Sequence, residues 1–227
     1  MNLILRRLQG SSVTQRRAAR LLHLNRKTVA RKFLFLASQA RLRNSQFQAS
    51  LENSCHSVQF DEMESFERTK LLPLSIPLII EKKTRKILGY RVCRMPAKGL
   101  LANASVKKYG RRKDDRTKAV HSLFEEVLPL LTKDALLESD QNPKYPKWIP
   151  PGIPHKTHKG QRGCGTGQGE LKKIGFDPLF DLNHSCAMLR ANISRLVRRT
   201  WCVTQKLERL DDHIALYVDY HNRELTV

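Results

Sequence analysis

The chain has 227 residues, 40% of them hydrophobic, and carries 42 lysines and arginines against 21 aspartates and glutamates, a formal net charge of +21. A compact protein with this charge repels itself unless it binds a polyanion, so we expect nucleic acid as its partner. The sequence argues against a membrane protein, because Pro73 and Pro77 interrupt its most apolar stretch. Its five cysteines are odd in number, widely spaced and without a Cys-x-x-Cys pair, which argues against a disulfide framework and a zinc ribbon. We therefore expect a cytoplasmic, nucleoid-associated protein.

The N-terminal part of the chain is a basic arm, since residues 1–51 contain eleven lysines and arginines and no acidic residue. Within it, residues 13–34 resemble a helix-turn-helix in which Thr14 caps the first helix and Asn25 caps the second. The residues predicted to face inward are Ala18, Leu21, Leu22, Val29 and Phe33. The side chains that the second helix would offer to DNA are Arg26, Lys27, Thr28 and Arg31.

The whole chain is predicted to contain three segments. They are a helix-turn-helix over 1–37, a polar linker with some helical character over 38–54, and a catalytic domain over 55–227. In the third segment, alternation and apolar runs predict strands over 56–60, 75–81, 86–95 and 135–138. Apolar residues at helical spacing predict helices over 114–131, 182–201 and 207–221. Three strands, a helix and a fourth strand are the order of an RNase H-like core, so we predict an α/β fold with a mixed sheet flanked by helices.

Two aspartates, Asp61 and Asp140, each follow a strand-like segment. In an RNase H-like sheet the first and fourth strands are neighbours, which would bring the two carboxylates together. Such a pair is costly unless divalent cations neutralise it, so the sequence predicts a site for two Mg²⁺ or Mn²⁺ ions. Spacing leaves a third polar ligand open among Glu170, Asp177, Asp181, Asn183 and His184.

Two further basic features could contact a nucleic acid. Residues 142–168 are rich in proline, glycine and basic residues, and we predict a long loop beside Asp140, either touching substrate or solvated. Four arginines are predicted to share one side of the helix over 182–201, where they either bind phosphates or form a solvated face: Arg190, Arg195, Arg198 and Arg199.

Four segments of the chain, 58–64, 81–89, 139–145 and 182–200, resemble bacterial insertion-sequence transposases of the DDE type. The resemblance implies an RNase H-like catalytic core with Asp61 and Asp140 as the first two catalytic and metal-binding acids, and it places Asn183 at the position of the third. It also implies an enzyme that binds the ends of a mobile DNA element, cleaves and joins DNA with Mg²⁺, and acts as a homo-oligomer on DNA.

The chain departs from this family at two places. Asn183 stands where relatives commonly have Glu, and no Cys-x-x-Cys zinc ribbon precedes the helix-turn-helix, so we interpret the chain as a variant without that ribbon. Two alternatives have the same basic arm: a non-catalytic DNA-binding regulator and an inactive transposase remnant. A nuclease of the Holliday-junction resolvase kind would have the metal site without needing the arm.

Overall fold

The structure is a computed structural model, which describes residues 1–159, 177–197 and 201–225. These residues form a six-stranded mixed sheet flanked by helices, and the predicted α/β class is thereby confirmed. The strands are β1 (Cys55–Phe66), β2 (Pro73–Glu81), β3 (Ile87–Tyr90), β4 (Cys93–Arg94), β5 (Leu131–Asp140) and β6 (His155–His158). The helices are α1 (Asn2–Gln9), α2 (Gln15–Leu21), α3 (Arg26–Ala49), α4 (Leu101–Tyr109), α5 (Arg116–Val127), α6 (Tyr145–Trp148), α7 (Phe180–Asn192) and α8 (Leu207–Tyr220). Within the described ranges, no helix is long and apolar enough to cross a membrane.

Strand β1 lies at the centre of the sheet, whose order is β3-β2-β1-β5-β6, with β4 pairing to β2. It pairs antiparallel with β2 and parallel with β5, and β6 extends the parallel part. A parallel pair needs a crossover connection, and here the chain crosses over through α5 before entering β5. The sheet therefore divides into an antiparallel half and a parallel half that meet at β1.

Each face of the sheet is covered by its own apolar cluster. On one face α5 and α6 pack through Val120, Leu123, Phe124, Val127, Tyr145 and Trp148. On the other face α7 and α8 pack through Leu182, Cys186, Leu189, Leu210, Ile214, Tyr217 and Val218. Because both faces are covered, the central residues of β2, Leu74 to Ile80, are buried without interruption, which explains its continuous apolar run.

Strand β1 is longer than the sequence predicted. The predicted strand ended at residue 60, whereas β1 continues to Phe66. Antiparallel pairing with β2 extends from Val58 to Phe66 and satisfies the backbone along this whole length. Asp61 is consequently inside β1 and not at its end, which corrects the prediction that it follows a strand.

Two segments have more elements than predicted. The strand predicted over 86–95 is divided into β3 and β4, which pair with different ends of β2. The loop predicted over 142–168 contains α6 and β6 within its described part. The reason is tertiary packing, since Tyr145 and Trp148 bury their rings against α5 and β6 pairs with β5. Helix α4 lies in a stretch for which no element was predicted.

The helix predicted over 182–201 is shorter at its C-terminal end. Helix α7 ends at Asn192, because Ile193 leaves the helical region with φ −105° and ψ 105°. The apolar spacing continues past that point because Ile193 and Leu196 still pack into the same cluster as α7. The pattern therefore indicated burial correctly but predicted the wrong backbone conformation.

The N-terminal helices begin where the capping residues predicted. Thr14 Oγ1 accepts from the backbone N–H of Arg17 at 3.3 Å, and Asn25 Oδ1 accepts from that of Lys27 at 2.8 Å. The buried residues on α2 and α3 include Ala18, Val29 and Phe33, as predicted. Leu21 is 57% exposed, contrary to prediction; the buried face of α2 is centred between Ala18 and Ala19, and Leu21 lies to one side of it.

Helix α3 is continuous from Arg26 to Ala49, so the segment predicted as a linker over 38–54 is helical as far as residue 49. Polar residues of this segment bind the rest of the protein: Asn44 donates to Ala215 O at 3.0 Å, and Gln48 donates to Leu88 O at 2.8 Å. The N-terminal helices therefore pack on α8 and on the edge strand β3.

Candidate active site

Asp61 and Asp140 lie next to each other where the pairing of β1 with β5 ends. The last pair of this parallel ladder is Phe60 with Ser139, and each aspartate is the following residue. Phe60 packs into the cluster under α5, so the next side chain on the strand points to the opposite, α7 side. Both aspartates are partly exposed. The sheet thus brings together the two carboxylates that the sequence paired.

Helix α7 lies over this face, and the charge of Asp61 acts on one of its residues, Cys186. Burial, and after it the negative charge of Asp61, raise the pKa of the Cys186 thiol to about 12. Cys186 is itself buried in the cluster beneath α7. A thiol with this pKa is protonated at neutral pH, which suits its place in the apolar cluster.

Tyr145 contacts Asp61 directly and was missed as a site residue. Its hydroxyl donates to Asp61 Oδ1 at 2.7 Å and accepts from the backbone N–H of Glu62 at 3.1 Å. The side chain is 1% exposed, and burial together with the charge of Asp61 raises its pKa well above the usual range. It remains a protonated donor. The one signal in the sequence was the pair of aromatic residues three positions apart, Tyr145 and Trp148, within an otherwise irregular segment.

A second polar pair, Gln59 and Glu138, lies next to the aspartates on the same face of the sheet. Gln59 and Glu138 precede Asp61 and Asp140 by two residues on the same face, and Gln59 Nε2 donates to Glu138 Oε2 at 3.1 Å. Burial alone would raise the pKa of Glu138, but the bonds from Lys82, Gln59 and His158 together lower it. Glu138 is therefore ionised, and both of its oxygens are already bound by protein side chains.

Gln59 also joins the sheet to the start of α7. Its Nε2 donates to Pro178 O at 2.9 Å, and its Oε1 accepts from the backbone N–H of Leu182 at 3.0 Å. A further anchor is Asp181, whose Oδ2 accepts from the backbone N–H of Lys83 at 2.9 Å. The beginning of α7 is therefore held against β1 and the β2–β3 turn.

Four of the five candidates for a third ligand lie at this helix start, and the fifth, Glu170, lies outside the described residues. Asn183 follows the anchored Leu182, is exposed, and donates from Nδ2 to Asp177 Oδ2 at 2.7 Å. Asp181 is engaged with the β2–β3 turn. His184 stacks against Phe180, and its pKa is lowered by burial and then by the charge of Arg85. In the part of the chain that the structure describes, no three or more His, Cys, Asp or Glu side chains form a group able to hold a metal ion.

The arginines and lysines of the N-terminal helices fall into two groups, of which the first is paired inward. Asp219 is 1% exposed and accepts from Arg6 and Arg43 at 3.0 and 2.8 Å. Arg41 binds Asp211 Oδ2 at 2.6 Å and Asp212 Oδ1 at 2.8 Å; burial alone would lower its pKa, but these two carboxylates raise it. These ion pairs hold α1 and α3 on α8 and balance the charge of the paired guanidinium groups.

The second group is exposed and belongs to α2 and the first turns of α3. Its members are Arg16, Arg17, Arg20, Arg26, Lys27 and Arg31. Among residues 1–159, 177–197 and 201–225, none of these six takes part in an ion pair. Thr28 is partly exposed among them. Six cations without ion pairs among the described residues lie on α2 and the first turns of α3 and form a strongly positive surface, which we call the α2–α3 basic surface.

The four arginines predicted to share a helix face do not do so. Arg190 lies on α7, but Arg195 follows the end of that helix. Arg195 is partly buried, and its pKa is lowered by burial and by the nearby charge of Arg209. Arg198 and Arg199 lie outside the described residues.

The structure therefore brings together two adjacent carboxylates and a tyrosine bound to one of them, and Asn183 lies on the helix start that Gln59 joins to β1. Adjacent carboxylates that face solvent are suited to binding hard divalent cations, which promote phosphodiester chemistry. The sequence matches no model of a protein family, and no curated protein matches it significantly.

Proposed function

We propose that this protein is a transposase of the DDE type, which binds the ends of a mobile DNA element and catalyses metal-dependent cleavage and strand transfer. The observation that carries the proposal is the placement of Asp61 beside Asp140 on neighbouring parallel strands. The strand order β3-β2-β1-β5-β6, antiparallel on one side of β1 and parallel on the other, supports an RNase H-like core.

The residues present suit a divalent metal. Asp61 and Asp140 supply hard oxygen donors side by side and partly exposed, and the amide oxygen of Asn183 is a third donor of the same kind. These three would hold Mg²⁺ or Mn²⁺, two ions per site, as catalytic residues. When bound, the metal activates the attacking oxygen and stabilises the leaving oxygen of an in-line displacement. The surrounding protein orients the donors, with Tyr145 on Asp61 and Gln59 on the start of α7.

The α2–α3 basic surface is the proposed DNA interface. Helices α2 and α3, joined by the turn that ends at Asn25, support a helix-turn-helix. In such a motif the N-terminal end of the second helix enters the major groove. The residues at that end of α3 include Arg26, Lys27, Thr28 and Arg31. Phosphate contacts by uncompensated cations supply most of the affinity for DNA. We expect the protein to act as a homo-oligomer on DNA, while a DNA-contacting role for Arg190, Arg195, Arg198 and Arg199 is a lesser part of the proposal.

The test is a strand-transfer assay on a linear duplex that carries the inverted repeats flanking the coding sequence, with Mg²⁺ or Mn²⁺. We expect the wild type to cleave and join this duplex and the Asp140→Asn variant to fall to the level of buffer alone. Asp134→Asn is the matched control, because Asp134 lies on the same strand, is exposed, and loses the same charge. Cleavage that survives Asp140→Asn would contradict the proposal.

A second candidate is a non-catalytic DNA-binding protein, either a regulator or an inactive transposase remnant. One observation favours it: Asn183 is an amide bound to Asp177, and the described residues hold no three-carboxylate group. It predicts a wild type that binds DNA through the α2–α3 basic surface and cleaves none with either metal. The same assay therefore separates the two candidates.

A further inference from the structure

We propose that Tyr145 is a positioning residue for the candidate site, whose hydroxyl holds the Asp61 carboxylate in the orientation that binds a divalent cation beside Asp140. The inference rests on the proposed function, because it assumes that the two aspartates bind metal. It adds a residue to which neither the sequence patterns nor the family resemblance gave a role.

Two hydrogen bonds hold the carboxylate of Asp61. Its Oδ1 accepts from the Tyr145 hydroxyl at 2.7 Å and from the backbone N–H of Glu62 at 2.7 Å. The same N–H lies 3.1 Å from the tyrosine oxygen. One carboxylate oxygen held by two donors restricts rotation of the group about its Cβ–Cγ bond, so the direction in which Asp61 presents its charge is fixed.

Tyr145 is itself held rigidly by its aromatic neighbours. Its ring lies 4.7 Å from that of Phe60 and 6.0 Å from that of Trp148, between centroids. Trp148 is fixed in turn, because its Nε1 donates to Thr117 Oγ1 of α5 at 3.0 Å. With the tyrosine side chain 1% exposed, the hydroxyl cannot move away from Asp61 without displacing α6 from α5.

Tyr145 is also connected to the other aspartate, Asp140. Asp140 Oδ1 accepts from the backbone N–H of Asn142 at 3.0 Å, and Asn142 O accepts from that of Tyr145 at 3.1 Å. A chain of hydrogen bonds therefore leads from Asp140 through residues 142 and 145 to Asp61. The segment that follows one aspartate orients both of them. The sheet sets which strands are neighbours, and this segment sets how the carboxylates face.

The alternative is that the tyrosine only fills space and its hydroxyl has found the nearest acceptor. Both readings predict a small loss of stability on Tyr145→Phe, so stability cannot separate them. Metal affinity can, because removing a group that orients a metal ligand weakens metal binding by about tenfold or more. A packing residue leaves that affinity unchanged.

The experiment measures binding of Mn²⁺ to the full chain by electron paramagnetic resonance of the free ion, without DNA. The variants are Tyr145→Phe, Asp61→Asn and the matched control Tyr217→Phe. Tyr217 is also fully buried, and its hydroxyl lies 3.3 Å from His221 Nδ1, just beyond the end of α8. We expect Tyr145→Phe to weaken Mn²⁺ binding by about tenfold, Tyr217→Phe to leave it at the wild-type value, and Asp61→Asn to abolish it.

Each outcome has one meaning. Wild-type Mn²⁺ affinity in Tyr145→Phe, with binding lost in Asp61→Asn, would overturn the positioning role and leave the proposed function standing. Unchanged affinity in Asp61→Asn would overturn the proposed metal site itself. An equal loss in Tyr145→Phe and Tyr217→Phe would show a general effect of removing a buried hydroxyl and would also overturn the positioning role.

Discussion

The side-chain amide of Gln59 donates a hydrogen bond to Glu138 across the β1–β5 ladder at 3.1 Å, directly beneath Asp61 and Asp140. Both residues of this lower pair are buried, and Gln59 in addition binds Pro178 O and the backbone N–H of Leu182. One glutamine thus joins the two strands that present the aspartates to the helix that presents Asn183. The stability of the core and the geometry of the site depend on the same side chain.

Replacing Gln59 with leucine is expected to lower the free energy of unfolding by about 2–3 kcal/mol. The variant leaves the buried N–H of Leu182 and the carbonyl of Pro178 without their Gln59 partner, and each unsatisfied group is costly, whereas Glu138 Oε2 keeps its ion pair with Lys82. Urea unfolding followed by circular dichroism measures the change. Gln46→Leu on the exposed side of α3 is the control. A variant as stable as the control would mean that the Gln59 bonds contribute nothing net.

Replacing Asn183 with glutamate is expected to strengthen Mn²⁺ binding by about tenfold, because a third carboxylate raises the charge of the site. The helix start should loosen slightly, since the bond to Asp177 is lost and two like charges face each other. Titration calorimetry with Mn²⁺ gives the affinity. Ala191→Glu adds the same charge to an exposed position further along α7. An equal gain in both variants would point to general electrostatics and remove Asn183 from the site.

Replacing Arg26 with alanine is expected to weaken binding to any DNA duplex and to reduce the salt dependence of the binding constant by about one counterion. Arg26 is exposed, opens α3 and is not in an ion pair within the described residues. Lys133→Ala is the control, because this exposed lysine lies on β5 toward the end opposite Asp140. Fluorescence anisotropy over a range of salt concentrations measures both quantities. The DNA interface would be misplaced if Lys133→Ala had the larger effect.

The protein is expected to lose stability as the pH falls from about 6.5 towards 4, and His213 is the main histidine responsible. Burial lowers the pKa of His213 to about 4, although the bond from its Nε2 to Gln9 O opposes the shift. The unfolded chain takes up this proton below about pH 6.5 while the folded protein does not, so protonation favours unfolding. At pH 5 the contribution is about 2 kcal/mol. His221, with a pKa also lowered by burial, acts in the same direction.

The check is the free energy of unfolding at pH 8 and pH 5 for the wild type and for His213→Gln, whose amide can still donate to Gln9 O. The variant should be less stable than the wild type at pH 8, because a buried ring that packs against Phe33 is lost. It should lose about 2 kcal/mol less than the wild type between the two pH values. An identical pH dependence would show that His213 is not the titrating group.

Local signals in the sequence predicted the parts of the fold that local interactions determine. The capping side chains of Thr14 and Asn25 accept hydrogen bonds from N–H groups within three residues, so the local sequence alone located both helix starts. The pairing of Asp61 with Asp140 was predicted from strand order, and the structure places them side by side for that reason. What the aspartates bind remains a prediction.

Long-range packing determined the parts that the sequence did not predict. Strand β1 extends beyond Asp61 because β2 pairs with it there. The sequence of β1 alone does not indicate how far this pairing extends. Tyr145 lies in a proline-rich segment for which the sequence predicts a loop, yet its ring is buried between Phe60 and Trp148. Helix α7 ends at Asn192 without a glycine or proline to mark it. In each case the decisive partner is distant in the chain.

The central claim is that Asp61 and Asp140 together bind divalent cations. Calorimetric titration of Mn²⁺ into the wild type, the double variant Asp61→Asn/Asp140→Asn and the control Asp134→Asn tests it most directly. We expect saturable Mn²⁺ binding that the control retains and the double variant loses completely. Binding of the same affinity and stoichiometry in the double variant would contradict this claim.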